Sequence, residues 1–92
     1  RKVKMDARYF IAKNYLLLED FQKAHDFTAK LIKDEYRVQK IPQIKLLIAR
    51  SLAGLGKTDE AIDIFNAIMT DNVRTAISAK AAFYAGETYF GI

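Results

Sequence analysis

Few side chains in this sequence are of types that carry out chemistry, and their spacing does not gather them. His25 is the only histidine and no cysteine is present. One imidazole with no second nitrogen or sulfur ligand makes no zinc site, so His25, between Ala24 and Asp26, reads as a surface or boundary residue. Disulfides and thiolate nucleophiles are excluded outright. Carboxylates recur in pairs at Glu19/Asp20, Asp34/Glu35 and Asp59/Glu60. An acid–base pair must converge in surroundings that push the two groups apart in pKa. Each of these pairs lies instead near an expected helix end, where capping and the helix dipole account for it. Gly54-Leu55-Gly56-Lys57 shares glycine and lysine with phosphate loops, but the glycine spacing differs and no strand precedes it. A non-enzymatic chain without metal or cofactor is the expectation.

Composition narrows the class further. The 92 residues are half apolar and just over a quarter charged, with a single proline and a formal charge of +4. That is the make-up of a folded globular chain, and the mild positive charge falls short of the dense basic face of a nucleic-acid binder. No apolar run approaches the ~18 residues needed to span a bilayer, so direct membrane insertion is not expected. The chain opens on Arg1 rather than an initiator, and is expected to be a piece of a longer protein. Absence of cysteine is equally compatible with cytoplasm and periplasm.

The elements that would position any site follow from apolar spacing. After a basic lead-in over Arg1 to Lys4, Met5, Tyr9, Ala12 and Leu16 recur at helical intervals, widened by Phe10, Ile11, Tyr15 and Leu18. This predicts a helix over about 3–18 that is buried on two faces. Asp20 is a candidate N-cap for a second helix running to about Tyr36, with Phe21, Ala24, Phe27, Thr28, Leu31 and Ile32 inward. A connector over 37–41 leads to Pro42, suited to a first helical turn. Ile44, Leu47, Ile48 and Leu52 then form the buried stripe of a third helix. Gly54 and Gly56 are both candidates for its left-handed stop. Thr58 is a candidate N-cap for a fourth helix, whose inner face is Ala61, Ile64, Phe65, Ile68 and Met69. A fifth runs from about Thr75 to Phe90 through Ala79, Ala82, Phe83, Ala85, Gly86 and Tyr89.

These helices repeat. A shift of 37 residues superimposes Ala12, Ala49 and Gly86 without a gap, and also Tyr15, Leu52 and Tyr89, and Tyr9, Leu46 and Phe83. Ala24 falls on Ala61, Phe27 on Ile64, Leu31 on Ile68, Asp34 on Asp71 and Arg37 on Arg74. The small residues mark places where paired helices approach closely, and a larger side chain there would hold them apart.

At these positions the chain resembles the tetratricopeptide-repeat family. Ala49, Leu52, Gly56, Ala61 and Phe65 carry the pattern in the second repeat, Ala12, Tyr15, Ala24 and Leu31 in the first, and Gly86 and Tyr89 in a closing half repeat. Glu19 stands where the first turn would usually have glycine, so that turn is expected to be tighter or capped differently. The period exceeds the usual ~34 residues, as in long-period bacterial repeats of Tol–Pal-associated and outer-membrane-assembly proteins, which implies the bacterial envelope. The implied fold is all-α: a right-handed superhelical α-solenoid of five antiparallel helices in one domain over 1–92. Repeat one covers about 5–41, repeat two about 42–78, and the half repeat 79–92.

The resemblance also implies a non-catalytic scaffold that binds a peptide or protein segment in a concave groove lined by the first helix of each pair. Carried over position by position, the lining residues are Asp6, Tyr9, Lys13 and Leu16, then Gln43, Leu46, Arg50 and Ala53, then Lys80, Phe83, Glu87 and Phe90, with Tyr9, Lys13, Leu46, Arg50, Phe83 and Glu87 expected to hold the peptide. Tyr9, Leu46 and Phe83 would form an apolar strip, with Lys13 and Arg50 beside it to receive an acid. For Leu46 and Phe83, core burial fits the pattern as well as groove exposure does. The carboxylate clamp of chaperone-binding members is not expected, given the apolar residues at three lining positions. Two other readings stay open: a single-stranded RNA-binding repeat, which Asp6 and Glu87 argue against, and a structural spacer. Ala82, Ala85, Tyr89 and Phe90 would leave the last helix with an uncovered apolar patch, so either the native protein continues or another chain covers it, and self-association through this end is expected.

Overall fold

The computed structural model describes residues 2–90, with side chains from Lys4 onward; Arg1 of the basic lead-in and the last two residues of the half repeat lie outside it. Five α-helices follow one another: α1 (Lys2–Leu17), α2 (Phe21–Asp34), α3 (Ile41–Gly54), α4 (Thr58–Asp71) and α5 (Ala76–Phe90). A 3-10 turn, Val38–Lys40, precedes α3, and no strand occurs among the described residues. The protein is all-α, as the periodicity predicts. Lys2 to Lys4 belong to α1 rather than to a separate lead-in, and α2 stops short of Tyr36.

The two within-repeat turns share three backbone hydrogen bonds at equivalent positions, and the second adds one from Leu55 to Leu52 at 3.1 Å. After α1, the Leu18, Glu19 and Asp20 amides donate to the carbonyls of Asn14, Leu16 and Tyr15 at 3.0, 3.0 and 2.9 Å. After α3, Leu55, Gly56 and Lys57 donate to Ser51, Ala53 and Leu52 at 3.0, 3.1 and 2.9 Å. Both are helix stops built on one left-handed residue. Gly56 takes it with φ +82°, and Glu19 with φ +59°. The first turn is therefore not capped differently: Glu19 adopts glycine's conformation and carries its strain. Gly54 remains helical, and its lack of a side chain serves another purpose, since a Cβ there would overlap the ring of Phe21.

Capping follows the sequence in part. Asp20 accepts from the Lys23 amide at 3.4 Å at the start of α2. Thr58 is not the cap of α4: that position is Lys57, without a side-chain bond, and Thr58 is already helical. The Thr75 hydroxyl accepts from the Ser78 amide at 3.2 Å and caps α5.

Packing is local along the chain. α1 lies against α2 and α3, and α3 against α2, α4 and α5; α2 does not touch α4, nor α1 touch α5. The odd helices thus form one layer, with α2 and α4 on its other side, in a slab of 38 × 30 × 17 Å. Between the layers, Ala12, Ala24, Ala49 and Ala61 are completely buried, where close approach requires small residues. Around them pack Met5, Leu16, Leu31, Ile44, Leu47, Leu52, Phe65 and Ile68. The two buried hydroxyls return to their own helices, Thr28 to the Ala24 carbonyl and Ser51 to that of Leu47, so neither is left unpaired.

The end helices depart from expectation. α1 is buried on one face only: Phe10, Ile11, Leu17 and Leu18 are exposed, because no element of the described chain packs on that side. In α5 the buried residues are Ala81 and Ala85, with Ile77 and Tyr84 beside them. Ala79, Ala82, Phe83 and Tyr89 point outward. Ala85 is therefore not part of the uncovered patch. Gly86 is not a close-approach point within the chain, since a Cβ there would meet nothing within 4 Å.

Candidate interaction surface

The odd-numbered helices bring their exposed polar and aromatic side chains onto one surface. Arg50 of α3 lies at its centre. Its guanidinium sits 4.3 Å from the centroid of the Tyr84 ring on α5, a stacking that leaves the N–H edges of the fork available for an acceptor. Toward α1, Arg50 acts on half-buried Tyr9. Burial pushes the Tyr9 hydroxyl above its ordinary pKa, and the positive field of Arg50 partly offsets this. Lys13, one helical turn from Tyr9, holds its ammonium 5.8 Å from the centroids of both Tyr9 and Phe10. Neither Lys13 nor Arg50 has a carboxylate within salt-bridge distance among the described residues, whereas Arg8, Lys23 and Arg37 all do.

An open depression of about 710 Å³ adjoins this strip, with Arg50, Tyr84 and Glu87 on one wall and Phe21, Gly54 and Phe65 among its other lining residues. A smaller hollow of about 280 Å³ lies beside Tyr9, between Asp6 and Phe10 of α1 and Arg37, Lys40 and Gln43. Arg50 and Glu87 thus line the larger depression and Tyr9 the smaller hollow, with Lys13 beside Tyr9. Leu46 is not: it is 6 % exposed and belongs to the core with Ala81 and Ala85, because α5 lies over it. Phe83, its equivalent on α5, is 61 % exposed because no further helix of the described chain covers it. The continuous Tyr9–Leu46–Phe83 strip is therefore interrupted at Leu46, and Tyr84 takes the place beside Arg50. The 37-residue register concealed Tyr84, since its equivalents Phe10 and Leu47 signal no such role. An aromatic on the helix adjoining an unpaired arginine was the available clue.

A second cluster was missed altogether. The Glu35 side chain is 2 % exposed and that of Arg37 10 %. Arg37 donates to Glu35 through Nε and Nη2, both at 3.0 Å, and through its backbone amide at 3.1 Å. Nη2 also reaches Asp6 of α1 at 3.0 Å. These hydrogen bonds hold the Glu35 carboxyl below the usual carboxylate range, and the two acids hold Arg37 above the ordinary arginine value. Asp34 pairs with Arg8 at 3.0 Å. The Asp34/Glu35 pair is thus explained by ion pairing to α1 and the connector, not by capping, since a carboxylate at a helix C-terminus opposes the dipole.

The other chemical candidates stay apart. His25 faces only its neighbour Asp26, at 3.3 Å. No group of three or more histidine, cysteine or acidic residues is placed to hold a metal among the described residues. Gly56 and Lys57 adjoin Asp59 and Glu60 in the first turn of α4, where the acidic side chains already occupy the field a phosphate would need. Among the described residues no helix is long and apolar enough to cross a membrane. Comparison with family models, characterised proteins and solved structures gives no match.

Proposed function

We propose that this chain is a non-catalytic, tetratricopeptide-like α-solenoid segment whose odd-numbered helices hold a protein segment across their shared surface. The observation that carries the reading is Arg50, stacked on Tyr84 from α5 and acting on Tyr9 from α1. Residues from three successive repeats thereby converge on one strip, which suits an elongated ligand better than a small one. Packing confined to helices one or two places apart in the chain, together with the duplicated turns, supports the solenoid reading. The unpaired cations Lys13 and Arg50 among aromatic rings favour a segment with an acidic residue next to an apolar one.

Selection from a displayed random-peptide library tests this. Segments combining Asp or Glu with an apolar anchor are the expected product, and Arg50→Glu together with Tyr9→Ala abolishes their binding. Peptides that bind this double variant unchanged refute the assignment. Single-stranded RNA is the competing ligand, since stacked tyrosines beside cations also suit bases. Oligonucleotide affinity that falls steeply with salt, without peptide selection, would favour it.

A further inference from the structure

Arg37 pairs with two acids, yet its fork is only partly spent. Of the five N–H groups of a guanidinium, the one on Nε and those on Nη2 go to Glu35 and Asp6. Nη1 carries the remaining pair; it is buried and meets no acceptor among the described residues. A buried donor left without an acceptor is costly, and rare in a folded chain. The same side chain, 10 % exposed, walls the hollow of about 280 Å³ beside Tyr9. A water molecule takes ~30 Å³, so the hollow has room for a small polar group.

Charge decides which acceptor suits it. Asp6 and Glu35 bring two negative charges to the wall, and Arg37 and Lys40 bring two positive ones. An anion would add a third negative charge beside carboxylates already drawn up to Arg37, whereas a neutral carbonyl would not. Asp6 completes the match. Its side chain is 45 % exposed, and it meets Arg37 through Oδ1, which leaves Oδ2 to accept from a ligand. A carboxamide supplies both halves, a carbonyl for Nη1 and an N–H for Asp6. Its flat faces suit the Tyr9 and Phe10 rings that also line the hollow.

We propose that this hollow holds a carboxamide side chain, Asn or Gln, of the segment that crosses the odd-numbered helices. The source of the carboxamide rests on the function proposed above; the hollow itself rests on Arg37. A side chain reaches into a recess that a continuous main chain would bridge. Gln43, on the wall of the hollow, and Arg50 lie on one face of α3, ~10 Å apart along its axis. About three residues of an extended segment cover that span. The carboxamide therefore stands about three residues from the acid that Arg50 receives.

Two probes test the hollow and the segment separately. Propionamide and propionate are matched in size and differ in charge. Titrated at millimolar concentration into the ¹⁵N-labelled protein, propionamide is expected to shift the Arg37 guanidinium resonances together with the Tyr9 and Gln43 amides, and propionate to leave them unmoved. No shift with propionamide, or an equal shift with propionate, overturns the proposal. The library-selected peptides are expected to carry Asn or Gln about three residues from the acid. Replacing that residue by Asp or Glu weakens binding ~10-fold, while the loss caused by Arg50→Glu persists. Peptides that need Arg50 but tolerate the exchange overturn the carboxamide and leave the proposed surface standing. Propionamide binding without any selected peptide overturns the segment as its source, and the proposed surface with it.

Discussion

The two connectors between repeats occupy equivalent positions and have opposite characters. In the first, Glu35 and Arg37 fold under α1, where Asp6 completes a mostly buried ion cluster. Arg37 there is extended, with φ −87°. In the second, the equivalent residues are Asn72, Arg74 and Gln43. The Asn72 amide turns back to the Ile68 carbonyl at 2.9 Å, and Arg74 is exposed in the left-handed region at φ +63°. Replacing two carboxylates by two amides removes every charged partner Arg74 could have had from those positions. The chain then closes by the shortest turn available, with Thr75 capping α5. The turns within repeats share their left-handed residue and three backbone hydrogen bonds in both copies and carry the architecture, while the connectors between repeats are free to differ. The first connector ties α1 down by ion pairs; the second supplies no such tie, and α5 is held by apolar packing and the contact of Arg50 with Tyr84.

Breaking the first connector produces the largest effect. Arg37→Ala removes both guanidinium bonds to Glu35 and the link to Asp6, and a partly buried carboxylate that loses its partner is destabilising. The urea midpoint falls sharply, and hydrogen exchange accelerates first in α1. Acid acts on the same cluster less abruptly. The folded-state pKa of Glu35 lies below its ordinary value of about 4.5. Its contribution is therefore complete above the unfolded pKa, and is lost as pH falls through the lowered folded value. Denaturation midpoints measured between pH 7 and pH 2 decline over that acid window, and Glu35→Gln flattens this part of the profile from a lower starting stability. Asn72 does not titrate, so amides of the second connector show no matching acid response.

Smaller effects separate the left-handed positions. Glu19→Gly and Arg74→Gly relieve a strained backbone and are expected to raise stability by ~0.5–1 kcal/mol each by chemical denaturation, whereas Gly56→Ala lowers it by about 1 kcal/mol. The smallest change is Arg74→Ala, within ~0.5 kcal/mol of the parent chain. An Arg74→Ala loss as large as that of Arg37→Ala would erase the distinction between the connectors.

The helices and the fully buried Ala12, Ala24, Ala49 and Ala61 were legible because apolar spacing and small-residue register are local properties of the sequence, whereas in α5 the buried Ala81 was missed and Ala79 and Ala82 proved exposed. What failed depended on neighbours. Leu46 and Phe83 share one register position, yet one is core and the other exposed, since α5 follows the first and nothing described follows the second. Phe10, Leu17 and Leu18 look buried by periodicity and are exposed for the same reason at the other end. The Asp6–Glu35–Arg37 cluster joins residues almost thirty positions apart, and pairwise charge gives no hint of such a meeting. Of the candidate surface, Tyr9, Lys13 and Arg50 are partly exposed and Glu87 exposed, while the stacking of Arg50 on Tyr84 required the packed helices.

The most direct test is to titrate a library-selected acidic–apolar peptide into ¹⁵N-labelled protein and map the chemical-shift changes. The proposed surface predicts the largest changes at Tyr9, Lys13, Arg50, Tyr84 and Glu87, spanning α1, α3 and α5 together. Changes confined to α2 and α4, or to a single helix, would contradict it.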